Sequence, residues 1–201
     1  MSANASFDPL SDLFLAQFDR PTELGSVNLR TLSPFQRALL VIDGTVTKFI
    51  EAYTMEPVEV IRLAQVNREL SSEHRWLELP KGAVVAVRHV MIRGEHSHNF
   101  YVYAVSSIVL DRLPKEIRGR VEREVEEGLG RILNANKQES RREVLWYGRE
   151  RVTGLPEEVR HVSDGDFISR TYRIIVREKP SRRLRQPSDK KFVERQSAKF
   201  H

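Results

Sequence analysis

At 201 residues the chain is long enough to bury one substantial core without covalent staples. The absence of cysteine excludes disulfides, thiolate nucleophiles and cysteine-bound zinc or iron–sulfur centres within the chain. The 33 Lys plus Arg against 28 Asp plus Glu leave a formal charge of +5. That excess falls at Arg182, Arg183, Arg185, Lys190, Lys191, Arg195 and Lys199, so the body is close to neutral, which argues against a nucleic-acid-binding stripe.

In chain order, residues 10–18 read as a short helix with a polar loop after Pro21. Ser33 is an N-cap candidate with Pro34 in the first turn, and Phe35, Ala38, Leu39 and Ile42 follow at helical spacing up to the turn pair Asp43-Gly44. From Thr45 the composition turns β-rich: residues 45–53, with Val46, Phe49, Ala52 and Tyr53, read as a strand. Glu56-Pro57 separates it from a second strand over 58–66. The clearest hairpin joins residues 83–92 to 100–110, both rich in Val, Ile and Tyr, through a polar segment containing Gly94. Ile117, Val121, Val125, Leu129, Ile132 and Leu133 then keep helical spacing, interrupted by Gly128 and Gly130, which are costly in a helix and point to a break or to close packing. Residues 142–147 and 168–176 supply two further strands.

The expected fold is therefore α+β: a meander of about six antiparallel strands in a single sheet, with helices packed on one face. Residues 1–180 form one domain in this reading, and 181–201 a basic, poorly ordered C-terminal tail. No apolar run reaches the roughly 20 residues of a membrane span, and residues 1–17 lack the pattern of a signal peptide, so the expectation is a cytoplasmic protein away from membranes. His96 and His98 could face a metal together, but a solvated hairpin tip explains them more cheaply, and no metal site is expected. Arg141-Arg142 likewise reads as solvated.

Five collinear segments between residues 33 and 180 resemble the chorismate pyruvate-lyase family. They are Asp43-Gly44-Thr45-Val46-Thr47 with Glu56-Pro57-Val58; the strand around Arg88; Leu110-Asp111-Arg112-Leu113-Pro114; Gly128-Leu129-Gly130-Arg131-Ile132-Leu133; and Tyr172-Arg173-Ile174-Ile175 before Lys179-Pro180. The resemblance implies a chorismate lyase-like fold and a cofactor-free lyase of aromatic biosynthesis, releasing 4-hydroxybenzoate and pyruvate from chorismate. Its ligand would be an aromatic or cyclohexadiene carboxylate in a pocket closed by flap-like segments. By the same resemblance Arg88 binds the carboxylate, Thr45 and Val46 belong to one flap, and Leu129 contacts the ring. A planar guanidinium on a rigid strand suits that role, because it can grip a carboxylate with two parallel hydrogen bonds.

Two departures stand out. The family's catalytic glutamate lies five or six residues beyond the lysine-proline turn, a count that lands here on Arg185 or Gln186. Either activity has been lost, or another carboxylate such as Glu143 or Glu178 substitutes, or the C-terminal stretch has diverged. Where family enzymes carry another arginine near the end of the second hairpin strand, this chain has Val105-Ser106. The alternative to a lyase is a non-catalytic module binding a benzoate-like molecule on the same fold.

Overall fold

A computed structural model describes residue 10 and residues 12–123, 128–135, 140–177 and 189–198, the last stretch through its backbone. Helix α1 (Pro34–Val41) starts as the sequence predicts: Ser33 Oγ accepts from the Gln36 amide at 3.2 Å, while Gln36 Oε1 accepts from the Ser33 amide at 2.9 Å. It ends just before Asp43-Gly44.

Helix α2 (Val46–Thr54) overturns the strand expected over 45–53. Val46 and Ile50, one helical turn apart, are buried with Val58, Val60, Val90 and Ile92, so that amphipathic burial at helical period outweighs the β-preference of branched side chains. Met55, at φ 58°, ends the helix in the left-handed conformation. The helix expected over 10–18 is also absent. Leu15 and Ala16 donate their amides to the Val144 and Leu145 carbonyls at 3.0 and 2.9 Å, and only Gln17–Asp19 forms a 3-10 turn. Backbone donors spent on covering a neighbouring strand are not available to a helix.

Strands β1 (Val58–Glu69), β2 (Val84–Gly94) and β3 (Phe100–Ile108) form one antiparallel ladder. The β2–β3 hairpin is the one read from sequence, and its tip is pinned by Glu56, whose carboxylate accepts from the Ser97 hydroxyl at 2.6 Å and the Tyr101 hydroxyl at 2.9 Å. His96 and His98 stand exposed in that tip. Strands β4 (Ser140–Arg151) and β5 (Asp166–Arg177) form a second ladder. β3 and β5 do not pair with each other; strand β6 (Asp189–Ala198) runs between them, giving the order β1-β2-β3-β6-β5-β4.

The sheet is thus not the expected meander but two ladders, of three and two strands, bridged by the last strand. Part of the expected tail is that bridge: residues 189–198 pair on both sides, while Arg185, Gln186 and Glu178 lie outside the described residues. Composition concealed β6, since a strand paired on both sides takes its stability from ladder hydrogen bonds that any non-proline residue supplies.

The expected single helical stretch after Pro114 is two helices, α3 (Lys115–Arg123) and α4 (Leu129–Ala135). With α1 and α2 they bury one face of the sheet through Ile50, Ile117, Val121, Ile132 and Leu133. The opposite face is not bare, as one-sided packing would leave it. The short helix α5 (Glu157–Arg160) sets Val159 against Met91, Tyr103 and Phe167 there. No helix among the described residues is long and apolar enough to cross a membrane.

Candidate functional site

In an antiparallel ladder, residues directly opposite each other lie on the same face. Arg88 of β2 stands opposite Ser106 of β3, Ser106 opposite Glu194 of β6, and Glu194 opposite Tyr172 of β5. Four strands therefore place an arginine, a serine, a glutamate and a tyrosine in one row, on the face that α2 and α4 cover.

A half-enclosed cavity opens above that row, with about 520 Å³ of atom-free space, some of it continuous with solvent. The sheet supplies Val60, Arg88, Val90, Ile92, Ser106 and Tyr172; the start of α2 supplies Gly44, Thr45, Val46 and Thr47; the start of α4 supplies Gly128, Leu129, Gly130 and Arg131; and β4 adds Arg142. Arg88, Thr45, Val46 and Leu129, each singled out from sequence, line the same cavity. Of the two glycines only Gly130 is closely packed: a Cβ there would stand 3.1 Å from Arg142 Nη2, whereas one on Gly128 would make ordinary contact with Val60 at 3.7 Å.

Arg88 is 1% exposed, among the largest fully buried side chains of the protein. Burying a guanidinium is expensive unless charge or hydrogen bonds compensate it, so its position at a cavity wall calls for a purpose. Its Nε and Nη1 donate no hydrogen bond within the protein, although the side chain does interact elsewhere. Thr47 Oγ1, also at the cavity, is buried and makes no hydrogen bond.

Arg131 is held by an ion pair with Glu51 of α2, which Lys48 shares at 2.6 Å. Burial works to raise the Glu51 carboxyl, but the Lys48 hydrogen bond and the charges of Arg131 and Lys48 outweigh it and hold the group below its ordinary value. Arg142 donates from Nη1 to the Asp43 carbonyl at 3.1 Å. Among the described lining residues there are three arginines and no acid, so the cavity is set for an anion.

Sequence reading missed Thr47, Glu194, Arg131 and Arg142. Arg142, which reads as solvated in the sequence, is half-buried and borders the cavity beside Gly130. Of the carboxylates considered as substitutes, Glu143 is excluded by geometry. It stands opposite Arg173, on the other face from Val144 and Tyr172, and is engaged by Arg173 Nε at 2.6 Å and Arg141 Nη2 at 3.1 Å. A signal for Glu194 was present in Phe192-Val193-Glu194, a short apolar run ending in glutamate, but it lies further beyond Pro180 than a fixed-length count allows.

An α+β domain that closes a small-molecule cavity between an antiparallel sheet and its covering helices is the class these features define. The chain belongs to the Rv2949c-like chorismate pyruvate-lyase family, whose model matches residues 40–186. It is similar to the chorismate pyruvate-lyases of Mycobacterium tuberculosis (strain ATCC 25618 / H37Rv) and Mycobacterium bovis (strain ATCC BAA-935 / AF2122/97). Each is 28% identical over 131 residues, a span of 62% of this chain and 65% of the relative. Among solved structures it shares its fold with PhnF from Mycobacterium smegmatis, at a TM-score of 0.51 and 10% identity over 89% of this chain and 68% of that one. The effector domain of the same protein matches at the same TM-score and identity, over 77% of this chain and 88% of the domain.

Proposed function

We propose that this protein cleaves chorismate to 4-hydroxybenzoate and pyruvate. The observation that carries the reading is Arg88: a fully buried guanidinium at the wall of a cavity whose lining combines apolar Val46, Val60, Val90, Ile92 and Leu129 with polar and cationic groups. At so deeply buried a guanidinium a charge-assisted pair with a ring carboxylate is stronger than in solution, and its planar fork fixes the orientation of the ring. Val46 and Leu129 wall the ring, and the hydroxyls of Thr45 and Thr47 offer hydrogen bonds.

The chemistry asked of such a site is modest and needs no cofactor. The bond between the ring carbon and the ether oxygen breaks, the neighbouring ring carbon loses its proton, and the ring becomes aromatic. The departing enolpyruvate takes up a proton on its methylene carbon and becomes pyruvate. Orientation, charge stabilisation and one group able to carry a proton suffice. Glu194 holds the register position for that last role, between Ser106 and Tyr172 on the row of Arg88. In this reading Glu194, eight or nine residues beyond 185–186, takes the part of the glutamate missing there.

The fold shared with the PhnF effector domain supports a second reading, a receptor that binds a benzoate-like molecule without turnover. Purified protein mixed with chorismate separates the two, with release of pyruvate and 4-hydroxybenzoate followed together. The lyase reading expects both products in equal amounts, with Glu194→Gln slowing release by roughly 100-fold or more, the range for removing a general acid. Binding of 4-hydroxybenzoate with no product from the unaltered protein rejects the lyase in favour of the receptor.

A further inference from the structure

The cavity carries more positive charge than one carboxylate needs. Arg88 lies on strand β2 of the sheet; Arg131 lines the cavity from helix α4 and Arg142 from the edge strand β4. Among the described residues neither of these two is matched by an acid of its own. Arg131 shares the single Glu51 carboxylate with Lys48, so that two cations meet one anion. Its Nε is buried and makes no hydrogen bond. Arg142 is fixed through Nη1 on the Asp43 carbonyl, a neutral acceptor, and its Nη2 stands where Gly130, lacking a Cβ, leaves it room. Glu51 and the Asp43 carbonyl thus orient two guanidinia at the cavity while leaving donors over, an arrangement that favours an anionic group bound between them.

We propose that Arg131 and Arg142 form a second anion subsite, so that the site selects a dianion whose ring carboxylate sits on Arg88 and whose second carboxylate sits at the α4–β4 side. The inference rests on the reading of the cavity as a ring-carboxylate site. It assigns the second charge to residues outside the hairpin, where position 106 is serine and offers none. It also fixes specificity: a monocarboxylate of the same shape engages Arg88 and leaves Arg131 and Arg142 unused.

Two stable ligands test it in the full chain, 4-methoxybenzoate with one carboxylate and 4-(carboxymethoxy)benzoate with two, their affinities measured by calorimetry. The unaltered protein is expected to prefer the dicarboxylate by about tenfold or more, the scale of one charged hydrogen-bonded contact. Arg131→Gln and Arg142→Gln should each erode that preference, and the double variant should bring it to about one, while 4-methoxybenzoate affinity stays within about twofold. Arg131→Lys should keep part of it. A preference below about twofold in the unaltered protein, or one that survives in the double variant, overturns the subsite while leaving the carboxylate site intact. If the unaltered protein binds neither ligand, the ring-carboxylate reading itself fails and the subsite falls with it.

Discussion

Among the described residues two arginines are buried in this sheet, and they sit in opposite circumstances. Arg170 of β5 donates to the carbonyls of Leu40 and Ile42 at the end of α1 and lies 5.2 Å over the Tyr172 ring, so it ties a helix to the sheet. Arg88 of β2 borders a cavity. Burial alone therefore does not mark a functional charge; what its hydrogen-bonding groups face does. The first arginine is a structural device and the second, in the reading above, a ligand anchor.

Removing Arg170 should give the largest effect on stability. Arg170→Ala deprives two carbonyls of a charged donor and should cost about 2–4 kcal/mol in urea unfolding. Affinity for 4-hydroxybenzoate should stay within about threefold where the variant is folded, because Arg170 does not line the cavity. A large loss of affinity at small cost in stability would erase the distinction between the two arginines.

Thr47 sharpens the contrast from the polar side. Its buried hydroxyl makes no hydrogen bond within the protein, so Thr47→Val should leave stability unchanged or raise it by up to about 1 kcal/mol, a reversal of the usual cost of altering a buried residue. A loss above about 1 kcal/mol in the same unfolding measurement would mean the hydroxyl is a structural group like Arg170.

The smallest effect concerns His89, next to Arg88 in β2 but on the opposite face, where its Nδ1 lies 2.6 Å from the Tyr103 hydroxyl. Burial, helped by the charge of Arg68, holds its imidazole below the ordinary histidine value. The unfolded chain then takes up the proton more readily than the folded one. The contribution is complete above the unfolded value of about 6.5 and is lost as the pH falls below it through the lower folded value. His74, lowered mainly by its burial, acts in the same direction. Unfolding measured from pH 8 to pH 5 should show declining stability, and His89→Gln should flatten but not abolish the slope.

The parts of the fold legible in the sequence are those whose signals are local. Ser33, Pro34 and Gln36 announce α1 by capping chemistry, and the β2–β3 hairpin announces itself by two β-rich runs about one polar turn. Helix α2 was misread because Val46, Thr47, Phe49 and Ile50 favour strands individually, whereas their spacing, satisfied only by packing on Val58, Val60, Val90 and Ile92, favours a helix. β6 was misread because Lys190, Lys191, Glu194 and Arg195 look solvated, and nothing short of pairing with β3 and β5 shows them in a central strand. The site divides the same way. Arg88, Thr45, Val46 and Leu129 were found through collinear motifs. Arg131 and Arg142 join that group at the cavity, and Glu194 shares the register row of Arg88, only through the pairing of strands and the approach of α4 to β4, which no count along the chain reveals.

Calorimetric titration of 4-hydroxybenzoate into the unaltered protein and into Arg88→Ala tests the central claim most directly. The account predicts measurable binding that weakens by about 1.5–3 kcal/mol in the variant, roughly ten- to a hundredfold in Kd. Equal affinity in the two proteins would remove Arg88 from the site and contradict the account.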